Sequence, residues 1–222
     1  MRTRIEFTDI STGKMYSSWE DFGLVIAKVT VGQAKVKKKS MDIPFSHGEL
    51  DYTEFLGEPM YNNREIVIDC GAVLRDRFAQ ESILRNAIDG RKMKIRLSGD
   101  ERYYYVGRVE IGDISKDVGV SHMKITCDCE PWKYACVETE TEYALTDTAQ
   151  SFIIYNAGRP VAPTITATAP VRVTLGGKTA DVSAGTSKNP DLKVPSGRGT
   201  VSARVTSGGA GTLTLTYREM ML

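Results

Sequence analysis

The chain has 222 residues, of which 41% are hydrophobic, so it is long enough to bury the core of one large β domain or two smaller ones. Its 29 basic and 28 acidic residues leave a formal net charge of +1, which argues against general DNA or RNA binding. No apolar run approaches the length of a bilayer span, and the N-terminal sequence MRTRIEFTDI is unlike a signal peptide, so we expect a soluble chain made in the cytosol.

The chain up to Cys136 is predicted to be mainly β structure with one helix. Alternating apolar residues predict strands around Ile5 and Phe7, over residues 25–31, and over residues 64–70. The period then changes to that of a helix that stops at Gly90. The predicted apolar face of this helix carries Phe78, Ile83, Leu84, Ala87 and Ile88.

A β-hairpin is predicted after the helix. Strands over residues 93–97 and 102–107 are joined by a tight turn with the sequence SGDE, and a further strand covers residues 123–128. In the returning strand, Tyr103 and Tyr105 share one face and Tyr104 takes the other. We expect one of these faces to pack on the core and the other to meet a neighbouring molecule, because tyrosine suits interfaces.

The chain after Cys136 differs in composition. Charged and aromatic residues become sparse, and Thr, Ser, Gly and Ala dominate. Short Thr-rich strands separated by glycine-rich turns, including a hairpin across Gly176-Gly177, predict a small β-sandwich. We therefore expect two domains, residues 1–136 and 137–222, joined near Trp132–Glu142.

The four cysteines predict no disulfide and no metal site. Cys127 and Cys129 lie on one face of a predicted strand, where neighbouring side chains cannot easily bridge each other. Their spacing with Cys136 and the distant Cys70 does not match the paired C-x-x-C pattern of structural zinc. We expect reduced and mostly buried thiols.

The sequence offers no catalytic constellation and no cofactor motif. His47 and His122 lie outside any nucleophile or metal motif, and His122 falls on the polar side of a predicted strand. Asp51 and Glu54 could form an acid–base pair, but local capping beside Thr53 explains them better. An enzyme is therefore not expected.

The run Lys35–Lys39 contains four lysines. It could contact DNA or an acidic partner, but we favour a solvated loop because the net charge of the chain is balanced.

Several short motifs before Pro131 occur in a characteristic order. They are Ser17-Ser18 with Asp21-Phe22-Gly23-Leu24, Asp42-Ile43-Pro44, Gly48-Glu49-Leu50-Asp51-Tyr52-Thr53-Glu54, Tyr61-Asn62-Asn63-Arg64, and, after the helix, Tyr104-Tyr105-x-Gly107-Arg108. In order and spacing they resemble the signature of the distal tail protein family of long-tailed, non-contractile phages. The turn Phe45-Ser46-His47-Gly48 departs from the family, whose members often carry Gly-Arg and an Asp or Asn before the glycine.

The resemblance implies a structural protein that forms a ring of six copies. Such a ring joins the tail tube to the tail tip or baseplate hub around a channel through which DNA passes as cargo. The protein would be part of the virion tail tip, after assembly in the host cytoplasm. The implied fold is an N-terminal β-sandwich with one helix and a β-hairpin, related to tail-tube folds, followed by a compact galectin-like β-sandwich.

The segment from Gly32 to Asn63 is the predicted subunit interface. It is rich in charged and turn residues and cannot bury its scattered apolar side chains alone, so a neighbouring subunit would cover them. The candidate interface residues are Leu50, Tyr52, Phe55, Leu56, Met60 and Tyr61 in this segment, and Tyr104 in the hairpin.

Two other functions are considered. A carbohydrate-binding module for host adhesion would need an aromatic platform, but the second region has no Trp, and core packing would explain Tyr143, Phe152, Tyr155 and Tyr217. Glycan binding is therefore not expected. A tail-tube or tail-terminator protein would share the N-terminal fold, and the second sandwich argues against it.

Overall fold

The structure, a computed structural model, describes residues 3–55, 57–72, 77–116 and 121–222. These residues form two compact units: the first ends at Lys133, and the second spans Tyr134–Met221. No helix among the described residues has the length and apolar character needed to cross a membrane.

The N-terminal unit is a β-sheet structure with one helix. Its elements are β1 Ile5–Asp9, β2 Met15–Ser17, β3 Leu24–Val31, β4 Ser40–Asp42, β5 Glu49–Asp51, β6 Arg64–Ala72, α1 Arg77–Ile88, β7 Lys92–Leu97, β8 Tyr103–Lys116 and β9 Ser121–Ala135. The large sheet has the strand order β2-β1-β7-β8-β9-β6-β3, while β4 and β5 form a separate small ladder. The prediction of mainly β structure with one helix and a hairpin is confirmed.

Every second residue of the main strands points into a single core. The alternation in β1, β6 and β9 buries one face of each strand, because side chains in a strand point to opposite sides in turn. This core includes Ile5, Phe7, Ile66, Ile68, Met93, Ile95, Val109, Ile125, Cys127 and Cys129.

Helix α1 covers this core with fewer residues than the sequence predicted. Leu84 and Ile88 are buried and Ala87 packs against them, but Ile83 is 57% exposed. The prediction for Ile83 is wrong because it lies one position off the stripe that Leu84, Ala87 and Ile88 form. Phe78, also predicted on this face, lies outside the described side chains.

The segment that carries the first of the family-like motifs, residues 17–24, is mostly a turn, although the resemblance implied an opening strand there. The backbone N–H of Leu24 donates to the Ser18 carbonyl at 2.8 Å, and the Ser17 N–H donates to the Asp21 carboxylate at 2.6 Å. The buried Ser18 hydroxyl accepts a hydrogen bond from the Ile5 N–H at 3.0 Å. Only from Leu24 does the chain continue as the strand that the apolar run over residues 25–31 predicted.

The C-terminal unit consists of two antiparallel sheets. Its strands are β10 Thr139–Leu145, β11 Gln150–Asn156, β12 Thr164–Ala167, β13 Val171–Leu175, β14 Lys178–Val182, β15 Gly185–Lys188, β16 Gly197–Val205 and β17 Gly211–Tyr217, and the short strand β18 Met220–Met221 lies outside these two sheets. The two four-stranded sheets have the orders β10-β17-β12-β15 and β11-β16-β13-β14. Both contribute to one core, so the predicted β-sandwich is confirmed.

The predicted hairpin across Gly176-Gly177 is present between β13 and β14. Both glycines have positive φ, 58° and 77°, which a two-residue turn matching the strand twist requires. Close packing also favours glycine at position 176, because a Cβ there would lie 2.5 Å from the Lys193 carbonyl oxygen.

The stretch Trp132–Glu142, expected to join two domains, is mostly strand. β9 continues to Ala135, and β10 begins at Thr139. The Ala135 N–H donates to the Glu219 carbonyl at 3.0 Å, and the Arg218 guanidinium donates to the carbonyls of Ala135 and Cys136. This short connection is therefore paired backbone and not an open linker.

The three core cysteines are predicted to resist alkylation in the native protein. Burial raises the pKa of Cys70 and of Cys129 to about 12 and raises the pKa of Cys127 as well, so these thiols stay protonated at pH 8. Cys136 is partly exposed. Mass spectrometry after iodoacetamide treatment at pH 8 should show modification of Cys136 alone, and of all four cysteines in urea.

The matched control for this prediction is Cys136→Ser, which should leave the native protein unmodified. Rapid native alkylation of Cys127 or Cys129, or one equivalent of bound zinc per chain, would contradict it.

Candidate assembly surface

A two-stranded arm extends from one edge of the N-terminal sheet. We use "the arm" for residues 32–63, which connect β3 to β6. The Gly32 N–H donates to the Glu65 carbonyl at 2.8 Å, continuing the β3–β6 pairing beyond the core. Further out, the Asn62 N–H donates to the Lys35 carbonyl at 2.8 Å, and β4 pairs with β5.

The tip of the arm is a turn that places a phenylalanine in an unusual conformation. Pro44 precedes Phe45, and the Ser46 N–H donates to the Ile43 carbonyl at 3.1 Å. Phe45 has φ of 67°, a left-handed conformation in which turns of this kind usually carry glycine. Its side chain is fully exposed. Neither feature stabilises the isolated chain.

The candidate interface residues of the arm differ in exposure. Exposed fractions are 43% for Leu50, 37% for Tyr52, 80% for Phe55 and 45% for Met60. Tyr61 is instead partly buried, because its ring contacts the edge of Trp132 at a centroid distance of 5.4 Å.

Of the two remaining candidate interface residues, one lies outside the described residues and the other lies outside the arm. Leu56 lies outside the described residues. Tyr104 is on β8, away from the arm in sequence, and is partly buried, with the Lys94 ammonium 5.2 Å from its ring centroid.

The arm forms an apolar groove of about 560 Å³. It brings together three of the candidates, Tyr52, Phe55 and Met60, with the rings of Tyr52 and Phe55 6.4 Å apart in an edge-to-face arrangement. The remaining lining residues are Lys37, Lys39, Ser40, Thr53 and Glu58. A surface with an apolar floor and charged rim suits a side chain from another protein.

Sequence reasoning missed three apolar residues near the tip. Met41 is 53% exposed and Ile43 is 42% exposed, in addition to Phe45. The signal that could have found them is the one that selected Leu50, namely apolar side chains among charged and turn residues.

The lysine run forms one edge of the arm. The Lys37 N–H donates to the Met60 carbonyl at 2.7 Å, and the Tyr52 N–H donates to the Lys39 carbonyl at 2.7 Å. Lys38 and Lys39 are exposed, as a solvated segment should be, but the backbone of this run is paired rather than open.

The titratable groups considered for catalysis take local structural roles or lie on the surface. The Asp51 carboxylate accepts a hydrogen bond from the Thr53 N–H at 2.8 Å, and hydrogen bonding by Thr53 lowers the pKa of Asp51. This is the local capping that the sequence predicted. His122 is exposed beside a shallow pocket of about 350 Å³ that also includes Asp69 and Asp113.

The aromatic residues of the C-terminal unit follow the prediction with one exception. Tyr143 and Tyr217 are buried, and Phe152 packs on Tyr143 with ring centroids 4.5 Å apart. Tyr155 is 63% exposed, so core packing does not explain it and that prediction is wrong. Because β11 turns Ile154 inward, Tyr155 must point outward.

The chain is similar to solved structures but not to family models or curated sequences. A scan of protein-family models and a comparison with curated protein sequences each find no match. Among solved structures, the chain is similar to the crystal structure of the Dit protein (gp 19.1) of phage SPP1, described as a paradigm of the hub adsorption apparatus in phages that infect Gram-positive bacteria. The TM-score is 0.68 at 16% sequence identity, and the match covers 100% of each chain. The fold implied by the resemblance to distal tail proteins is therefore confirmed.

Proposed function

We propose that this chain is a distal tail protein, a structural component of a phage tail tip. The observation that carries the proposal is the fold shared with SPP1 Dit over the full length of both chains, the C-terminal sandwich included. A match confined to the N-terminal unit would have favoured a tail-tube or tail-terminator protein equally. The ordered sequence motifs between residues 17 and 108 support the same assignment.

In this proposal six copies form a closed ring that joins the tail tube to the tip or baseplate hub, with DNA passing through its channel. A ring requires two different, complementary patches on each copy. The arm supplies one such patch, because Phe55 and Met60 are exposed beside an apolar groove. The protein would act in the virion tail tip, after assembly in the host cytoplasm, as a structural element and not as an enzyme.

The first test is the oligomeric state of the full chain. Six copies of the 24.5 kDa chain give a particle of about 147 kDa. Light scattering coupled to size exclusion should detect it at high protein concentration, and class-averaged electron micrographs should show a six-fold ring. A monomer that persists at high concentration, with no ring in assembled tails, would end the proposal.

Charge placed on the arm is predicted to weaken assembly without weakening the fold. Leu50→Asp and Phe55→Asp change side chains that are already exposed in the single chain, so the melting temperature should stay nearly unchanged. Within an interface the new carboxylate would be buried without a partner, and each change should cost about 2–4 kcal/mol of assembly free energy. Sedimentation velocity over a concentration series measures this cost.

The matched control is Ile153→Asp, which alters a similarly exposed apolar residue on β11 of the C-terminal unit. It should assemble like the unmodified protein. Equal weakening by all three substitutions would show that the arm has no special part in assembly.

The two units are further proposed to be independently folding domains, with assembly confined to the first. Each unit has its own core. A fragment ending at Lys133 should therefore form a smaller ring, whereas replacing residues 35–63 by a short Gly-Ser turn should give folded monomers. Circular dichroism checks folding and light scattering checks mass. A monomeric fragment 1–133 with an intact fold would contradict the assignment.

Because Tyr155 is exposed, glycan binding by the C-terminal sandwich is the alternative function to be tested. An aromatic ring on an open sheet face can stack on a sugar. We expect no dose-dependent binding of residues 134–222 to a glycan array. Tyr143 and Tyr217 are buried, so neither of them can form an aromatic platform together with the exposed ring of Tyr155. A signal that Tyr155→Ala abolishes would support adhesion instead.

A further inference from the structure

Arg64 is a mostly buried arginine that forms no ion pair among the described residues. It begins β6 at the root of the arm and is only 7% exposed. Its Nε–H is buried and has no hydrogen-bond partner in the described part of the chain. The ion pairs found among the described residues do not include it. Because a guanidinium remains charged in proteins, Arg64 carries a positive charge that no carboxylate in the described part of the chain neutralises by a direct contact.

The surroundings of Arg64 only partly offset this cost. Its guanidinium carbon lies 5.6 Å from the centroid of the Tyr105 ring, a cation–π contact. The carboxylate of Asp128, on the paired strand β9, accepts a hydrogen bond from Asn63 at 3.2 Å. Burying most of an arginine side chain and leaving its Nε–H without a partner is unfavourable unless an anion completes the site.

The tip of the arm carries the opposite imbalance. Asp42 and Glu49 are directly opposite each other in the β4–β5 ladder, and both are exposed. Like charges at opposed positions of a strand pair repel each other. Neither carboxylate takes part in an ion pair within the described residues. Exposed Ile43 and Phe45 flank this acidic pair.

We infer that the arm tip of one copy docks at Arg64 of the next copy, where Asp42 or Glu49 supplies the missing carboxylate. The inference rests on the proposed ring, in which one surface of a copy meets a different surface of its neighbour. A guanidinium and a carboxylate form the strongest type of side-chain hydrogen bond, so the pair would specify the register of the contact. The exposed apolar tip would pack around it.

The dimensions of the arm fit this contact. The chain from Gly32 to Asp42, if fully extended, reaches at most about 36 Å at ~3.3 Å per residue. A compact domain of about 130 residues has a diameter of about 36 Å. The arm of one copy therefore reaches across the N-terminal unit of a neighbour.

Arg64→Met separates this role from a purely structural one. Methionine fills the apolar space but removes the unpaired charge, so the melting temperature of the single chain should be unchanged or higher. The apparent dissociation constant of the ring should rise at least about 30-fold, as for the loss of one partner of a buried charge pair. Unchanged assembly, or a parallel loss of folding and assembly, would overturn the inference.

The partner side is tested by Asp42→Asn combined with Glu49→Gln. This variant should weaken the ring to a similar extent, while the control Glu140→Gln with Glu142→Gln, on exposed residues of β10, should not. Because the groups are inferred to meet, adding Arg64→Met to the arm variant should cause little further loss. Fully additive losses would show that Arg64 and the arm tip act at separate places.

The experiments distinguish a failure of the proposed ring from a failure of the proposed Arg64 contact. If the unmodified chain forms no ring, in solution or in assembled tails, the proposed function falls and this contact with it. If the ring forms and is insensitive to Arg64→Met, the ring stands and only the contact is refuted.

Discussion

The antiparallel pairing of β3 with β6 is the interaction on which the arm depends. Inside the N-terminal unit, the buried residues Ile66 and Ile68 of β6 hold this pair against the core. Beyond Val31 the same ladder continues without a core beneath it, and a two-stranded ribbon alone is marginal in water. Gly32 permits the continuation, because a Cβ there would lie 2.8 Å from the Glu65 carbonyl oxygen. The buried half of the pair therefore sets the register of the exposed half.

Much of the fold could be predicted because its strands obey simple alternation. β6 and β9 bury every second residue, and the glycine pair at 176–177 marks a turn of known type. The start of β10 was not predicted, because the change in composition placed the junction between the two domains near residues 132–142. The pairing within the arm could not be predicted from alternation either. The backbone hydrogen bonds that pair the lysine run do not depend on a pattern of apolar and polar side chains.

The candidate surface was predictable as a segment but not residue by residue. Apolar side chains scattered among charges cannot form a local core, and this selects residues 32–63 correctly as an exposed region. Which of them finds a partner depends on distant parts of the chain. Tyr61 contacts Trp132, whereas Phe55 packs on Tyr52 within the arm. Tyr155 was misassigned for a related reason, because burial of a strand residue depends on its phase, which the short run SFIIYN leaves open.

The proposed ring gains stability from closure that no single contact provides. The groove around Phe55 and the mostly buried Arg64 lie in the same unit. In the proposed ring, each would be covered by a different neighbouring copy. An open row of copies leaves one of each surface uncovered at its ends, whereas a closed ring leaves none. The closing contact is intramolecular and therefore costs less association entropy than the contacts before it. Modest individual contacts can thus yield all-or-none assembly. A growing tail that gathers the copies would lower the same cost in association entropy.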